Sequence, residues 1–177
     1  PAARPRRRSD RHEREEDPRR GRSRPAAGRR RVRCPGDDVG FGESEGNFTD
    51  YTLSDWIADA RLVVDALKAE PPMTIVGNSL GSWIAWLIAQ EFELVDRLIL
   101  IAPAFNMMGV RATQIAPERR QAWQNTGWMP WDDDPLHKDW ALSWKWVVES
   151  EACWQITFDR LRPVQTTILH GLQDTVI

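Results

Sequence analysis

At 177 residues, 41% hydrophobic and 28% charged, the chain is long enough for one domain with a real core, and it has no run near the ~20 apolar residues of a membrane-spanning helix. The net charge of −2 conceals two segments: 14 arginines against five acids in residues 1–33 (14 − 5 = +9), and 10 − 21 = −11 in the rest. Two cysteines, Cys34 and Cys153, make no disulfide framework, and the basic N-terminus lacks the apolar stretch of a secretory signal, so a reducing, cytoplasmic setting is the plain expectation.

Residues 1–39 hold Arg, Pro, Gly, Ala and acids, with Val32 and Val39 as the only aliphatics larger than Ala. Such a composition cannot bury enough apolar surface to offset ordering entropy, so a disordered tail is expected. A segment translated from a non-native reading frame is the competing reading. A basic arm for nucleic acid is disfavoured, because no aromatic residue interleaves the arginines. Order is expected from the glycine-punctuated loop Gly40-Phe41-Gly42-Glu43-Ser44-Glu45-Gly46, so the domain is placed at 40–177.

Thr52-Leu53-Ser54-Asp55 has the spacing of a helix capping box. Leu53, Trp56, Ile57, Ala60, Val63, Val64 and Leu67 then recur at helical spacing until Pro71-Pro72. Met73-Thr74-Ile75-Val76 reads as a strand, and Leu80 to about Phe92 as a second helix. Val95–Ile101 is an almost continuous aliphatic run, as expected of a parallel strand buried on both faces. Thr166–Leu169 reads as a third strand. Between the last two strands, about 60 residues carry seven of the ten tryptophans: Trp123, Trp128, Trp131, Trp140, Trp144, Trp146 and Trp154. This insertion is expected to be helical, with Trp140, Trp144 and Trp154 on one packed face. The rhythm of strand, helix, strand, insertion, strand is that of an α/β protein.

Gly77-Asn78-Ser79-Leu80-Gly81 lies between a predicted strand and a predicted helix. A serine on so sharp a turn is strained, and its hydroxyl projects from the sheet edge as a nucleophile should. Gly77 and Gly81 are expected to be glycine because a side chain at either place would collide with a neighbour. The Leu80 backbone N–H, in the first turn of the helix, is a candidate oxyanion donor. About 90 residues on, a strand runs into His170-Gly171, and Asp174 follows three residues after the glycine in a loop. In a triad of chain order serine, acid, histidine, Asp174 is the candidate acid that orients the imidazole. None of His12, His137 and His170 is assigned as the base. His12 falls in the Arg-rich tail, His137 beside Asp132, Asp133 and Asp134, and His170 at a strand end.

From Gly40 onward the chain resembles the serine α/β-hydrolases of the small esterase, thioesterase and monoacylglycerol-lipase-like branch. The resemblance rests on the Gly40–Gly46 loop, the Ser79 motif, Leu98-Ile99-Leu100-Ile101-Ala102-Pro103, and Leu169-His170-Gly171 with Asp174. Val76–Trp83 followed by the tryptophan-rich insertion looks most like the abhydrolase 10-like acyl-protein thioesterase group. The resemblance implies a partial α/β-hydrolase fold of about three parallel strands with flanking helices. It further implies a cap insertion at about 104–163 and hydrolysis of an ester or thioester through an acyl-enzyme. It implies neither metal nor organic cofactor. The expected partner is a small-molecule or acyl substrate, not nucleic acid; the oligomeric state is open. The family's earlier strands, its second oxyanion donor and its histidine are not recognisable here, so the chain as given is expected to be an inactive piece of such an enzyme. The alternative is a non-catalytic α/β-hydrolase-like binding protein. Within the insertion, Met107 and Met108 sit just past a strand end, where flexible apolar side chains suit a substrate wall. Most of the tryptophans are expected to be core.

Overall fold

In the computed structural model, which describes residues 44–67, 71–131, 140–156 and 161–174, three parallel strands lie side by side. They are β1 (Met73–Asn78), β2 (Val95–Ile101) and β5 (Gln165–Leu169), in the order β1-β2-β5. Ile75 pairs with Leu98 and Gly77 with Leu100, and Leu98 in turn pairs with Thr166. The Arg-rich tail, the loop residues 40–43 and His137 lie outside the described residues.

The expected first helix is α1 (Leu53–Leu67), preceded by a short 3-10 turn at Phe48–Asp50. The Asp55 carboxylate accepts from the Thr52 N–H at 2.8 Å and from its hydroxyl at 3.0 Å. This is the reciprocal arm of the predicted capping box, made by Asp where Glu is usual. Leu53, Trp56, Ile57 and Val64 face the core, whereas Val63 is exposed, so the apolar stripe is narrower than its spacing suggested.

Strand β1 runs two residues beyond the expected Val76, through Gly77 and Asn78, which confines the turn to Ser79. Helix α2 (Leu80–Glu91) then folds back over Leu98 and Leu100. The expectation that Val95–Ile101 is buried on both faces is corrected. Among the described residues only the α2 side is covered, and Val76 on the other face is 60% exposed and Ile101 38%. Aliphatic continuity records what a strand can tolerate, not which of its faces the described residues cover.

The half-buried Arg162, on the approach to β5, closes the far end of α2. Its guanidinium donates to the Ala89 carbonyl at 3.0 Å and the Phe92 carbonyl at 3.1 Å, and also to the Val95 carbonyl. A cation at a helix C-terminus meets the negative end of the dipole and carbonyls that lack helical donors.

The insertion is not all-helical. It contains α3 (Met107–Gln114), α4 (Pro117–Thr126), an antiparallel pair β3 (Trp128–Pro130) and β4 (Ala141–Ser143), and α5 (Trp144–Ile156). Each short strand buries its central residue, Met129 or Leu142, and turns its neighbours outward. Three-residue strands are too short to announce period-two alternation. Trp140, Trp144 and Trp154 do not form one helical face. Trp140 precedes β4 and stacks on Phe48 with centroids 4.1 Å apart, and Trp144 opens α5. The deeply buried rings of the insertion are instead Trp123 and Trp146. Trp123 donates its Nε1–H to the Leu142 carbonyl at 2.8 Å, and Trp146 meets Trp56 of α1 edge-on with centroids 4.9 Å apart.

Candidate active site

Ser79 is the one residue between the end of β1 and the start of α2. Its φ of 50° and ψ of −123° lie outside the regions an L-residue normally occupies, a cost of order 1–3 kcal/mol that the surroundings must hold in place. They do so through the backbone. The Ser79 N–H donates to the Ile101 carbonyl at 2.9 Å, and the Ser79 carbonyl accepts from Ser82 N–H at 3.0 Å and Ala104 N–H at 3.2 Å. The Ser79 side chain does not cap α2, so the hydroxyl is not spent on the helix it precedes.

Gly77 explains how the turn closes. A Cβ there would come within 2.5 Å of the Gly81 carbonyl oxygen and 2.6 Å of the Ser82 Cα, both backbone atoms that cannot swing aside. The parallel expectation for Gly81 is corrected: among the described residues a Cβ there meets nothing within 4 Å. The crowding is one-sided, because α2 comes down on the strand residue while its own first turn faces open space.

Ser82 was not singled out in the sequence, yet it is 0% exposed and holds both backbone groups of Ile101. Its hydroxyl donates to the Ile101 carbonyl and accepts from the Ile101 N–H, each at 3.2 Å. The signal for it was a small polar residue one helical turn past the motif serine, facing the adjacent strand.

Among the described residues, the positive-φ residues other than glycine are Ser79, Ala102 and Asn106. Ser79 follows β1, and Ala102 and Asn106 follow β2, so the strain gathers at the carboxyl edge of the sheet. In open α/β sheets that edge is where ligands bind. Ala102 N–H also donates to the Leu169 carbonyl at 2.8 Å, tying the exits of β2 and β5.

The third segment at this edge is His170–Asp174. The Asp174 N–H closes a turn onto the Gly171 carbonyl at 3.1 Å, and His170 Nε2 lies 3.7 Å from Asp174 Oδ2. Asp174 thus faces an imidazole from its own turn. His170 is the sole histidine among the described residues. Leu80 opens α2, so its N–H belongs to the first turn, whose donors have no intrahelical acceptor. Met107 is half-buried at the start of α3, whereas Met108 is 1% exposed and part of the core, so of the two only Met107 has surface to offer a substrate. Among the described residues no cluster of His, Cys, Asp and Glu could hold a metal ion.

The sequence profile of the family described as Serine aminopeptidase, S33 (Hydrolase_4) matches residues 34–177. The chain belongs to this family of α/β-hydrolases. The match reaches back beyond Gly40. Among similar proteins, the bovine palmitoyl-protein thioesterase ABHD10, mitochondrial, is 27% identical over 145 residues, covering 80% of this chain and 46% of that protein. The human protein of the same name is 28% identical over 148 residues, with the same shares covered. The structure of mouse α/β-hydrolase domain-containing protein 10 superposes with a TM-score of 0.67 at 25% identity, covering 79% of this chain and 56% of that one. A putative hydrolase from Agrobacterium vitis S4 gives a TM-score of 0.57 at 27% identity, covering 66% and 48%. The chain therefore spans about half the length of the curated relatives it matches. The expected α/β-hydrolase membership and fold are borne out. No helix among the described residues is long and apolar enough to cross a membrane.

Proposed function

We propose that the chain carries the nucleophile and acid of a serine hydrolase that cleaves a carboxylic ester or thioester through an acyl-enzyme. The observation that carries the reading is Ser79 itself. A serine with φ 50° at a one-residue strand-to-helix turn is kept against its backbone preference, with its hydroxyl uncommitted to the helix. In this nucleophile elbow, Ser79 Oγ attacks the acyl carbonyl while its proton passes to an imidazole base. The tetrahedral oxyanion accepts from Leu80 N–H, favoured further by the positive end of the α2 dipole. Collapse expels the alcohol or thiol, which takes the proton from the imidazolium. Water then repeats the sequence on the acyl-enzyme and releases the acid.

Asp174 is the acid that orients the base and stabilises its protonated form, so that Ser79 and Asp174 are two members of a catalytic triad. The base is assigned to none of His12, His137 and His170. His170 belongs to the same short turn as Asp174, a local pairing that any turn of this spacing allows. The insertion, as a cap, would supply the acyl-binding wall, with Met107 at its near end. The name palmitoyl-protein thioesterase, borne by the mammalian relatives, supports an acyl thioester as the substrate class. The cytoplasm is the setting we assign, on the cysteine usage alone.

The test is steady-state hydrolysis of aryl esters and acyl thioesters by the full-length protein and its Ser79→Ala variant. The variant is expected to lose at least about a thousandfold in kcat/KM. Equal rates in the two proteins would contradict the reading. No hydrolysis by either would favour a non-catalytic binding protein on the same fold.

A further inference from the structure

Two acids on α5 fasten that helix, one to α1 and the other, within the insertion, to the residue before α3. Glu149 and Glu151 are two residues apart, so they leave the helix about 200° from one another and reach different neighbours. Glu149 Oε2 accepts from the Ser54 N–H at 2.9 Å, in the first turn of α1. Glu149 Oε1 pairs with Lys145 at 3.3 Å, one turn back on α5. Glu151 Oε1 accepts from Asn106 Nδ2 at 3.2 Å, beside the start of α3. Between them Ser150, with Trp146 and Val147 on the same side, faces the core.

The Glu151 contact is close to the proposed chemistry. Asn106 is 6% exposed, has φ 49°, and accepts at its carbonyl from Val110 N–H at 2.9 Å. Two residues before it, Ala104 N–H donates to the Ser79 carbonyl. One residue after it is Met107. Gly109 leaves the space the pair occupies: a Cβ there would lie 2.0 Å from Glu151 Oε1 and 2.3 Å from Asn106 Oδ1. A strained, buried Asn held by a carboxylate 45 residues away is thus inserted between Ser79's backbone contact and the proposed acyl wall.

We propose that Glu151, gripping Asn106 across Gly109, is a positioning residue that sets the distance between Ser79 and the substrate wall at Met107, and thereby selects acyl-chain length. Glu149 anchors the other side of α5 on α1, so that α5 transmits a fixed position and does not rock. This rests on the proposed hydrolase reading for its functional half and on geometry alone for its structural half.

The experiment compares Glu151→Met, Glu151→Gln and Asn106→Ala with wild type in the full-length protein. Each is assayed on butanoyl and palmitoyl thioesters and for labelling of Ser79 by a small fluorophosphonate. Gln keeps an acceptor for Asn106 Nδ2, and Met does not. The expected result is a shift on the order of tenfold in the palmitoyl-to-butanoyl ratio of kcat/KM for Glu151→Met and Asn106→Ala. The ratio is expected to return to wild type in Glu151→Gln, with the labelling rate held within about twofold throughout. An unchanged ratio in Glu151→Met, or a uniform fall across both thioesters and labelling, would overturn the proposal. If wild type is neither labelled nor active, the hydrolase reading has failed by itself. Hydrogen exchange then judges the joint: Glu151→Met must speed exchange at the Val110 amide relative to Glu151→Gln, and equal exchange overturns it.

Discussion

The turn at Ser79 and the tryptophan-rich insertion are built by different means. Around Ser79 the fastenings are backbone hydrogen bonds and the lack of a Cβ at Gly77. The insertion is joined to α1 and the Phe48 turn by rings and carboxylates: Trp146 on Trp56, Trp140 on Phe48, Glu149 on Ser54. Backbone fastening leaves little room for substitution and fixes atoms closely, which suits a reacting hydroxyl. Side-chain fastening tolerates more variation and suits a wall whose position tunes what is admitted.

The largest expected effect falls on the turn. Gly77→Ala places a Cβ against the backbone of Gly81 and Ser82, so α2 must lift from the strand. A loss of about 3 kcal/mol or more, or failure to fold, is expected in denaturant melts. Gly81→Ala, by contrast, should stay within about 0.5 kcal/mol of wild type. Equal costs at the two glycines would break the account of one-sided crowding.

Trp146→Ala is the matching test of the insertion. It removes a buried ring that meets both Trp56 and Phe48, and about 3–5 kcal/mol is expected in the same melts. The comparison predicts that fluorophosphonate labelling of Ser79 survives wherever the protein stays folded. Loss of labelling in folded Trp146→Ala would mean that the two regions are not separately held.

The smallest effect is the response of α5 to acid. Burial pushes the Glu149 carboxyl up, but the Ser54 N–H, the Thr52 and Ser54 hydroxyls and Lys145 outweigh it and hold the pKa below the ordinary carboxylate value. A depressed folded-state pKa contributes stability that is present above the unfolded value and is lost as pH falls through the folded one. The groups around it are Lys145 and Cys153 on α5 and Thr52 and Ser54 at the start of α1, and the Arg61–Glu91 pair joining α1 to α2 acts on Cys153. Burial and then Glu149 push the Cys153 thiol up, so it stays neutral across the acid range. Hydrogen exchange at the Ser54 amide should therefore rise below the ordinary carboxylate range in wild type and be flat with pH in Glu149→Gln, after correction for intrinsic rates. A parallel rise in both proteins would assign the acid response to another group.

The same division decides how much the sequence could reveal. The strand and helix that flank Ser79, and the turn that carries Asp174, were legible because local pattern and turn chemistry specify them within a few residues. The capping box at Thr52 was legible for the same reason. Ser82 was missed because its partners on Ile101 are 19 residues away and nothing local marks a clamp. The Glu149 and Glu151 contacts were missed because they reach 95 and 45 residues along the chain. The β3–β4 pair was read as helix because tryptophans dominate the segment and its strands are three residues long. Gly81 was over-read, since the motif names both glycines while the geometry crowds only one.

Ser79 is set apart from the other serines by its backbone, and the neighbouring Ser82 is the built-in control. The most direct measurement is intact-protein and peptide mass spectrometry of the full-length protein after exposure to a small fluorophosphonate. One covalent adduct is expected, on Ser79 Oγ, with none on the buried Ser82 and none in Ser79→Ala. A wild-type protein that takes no adduct, or an adduct that persists in Ser79→Ala, would contradict it.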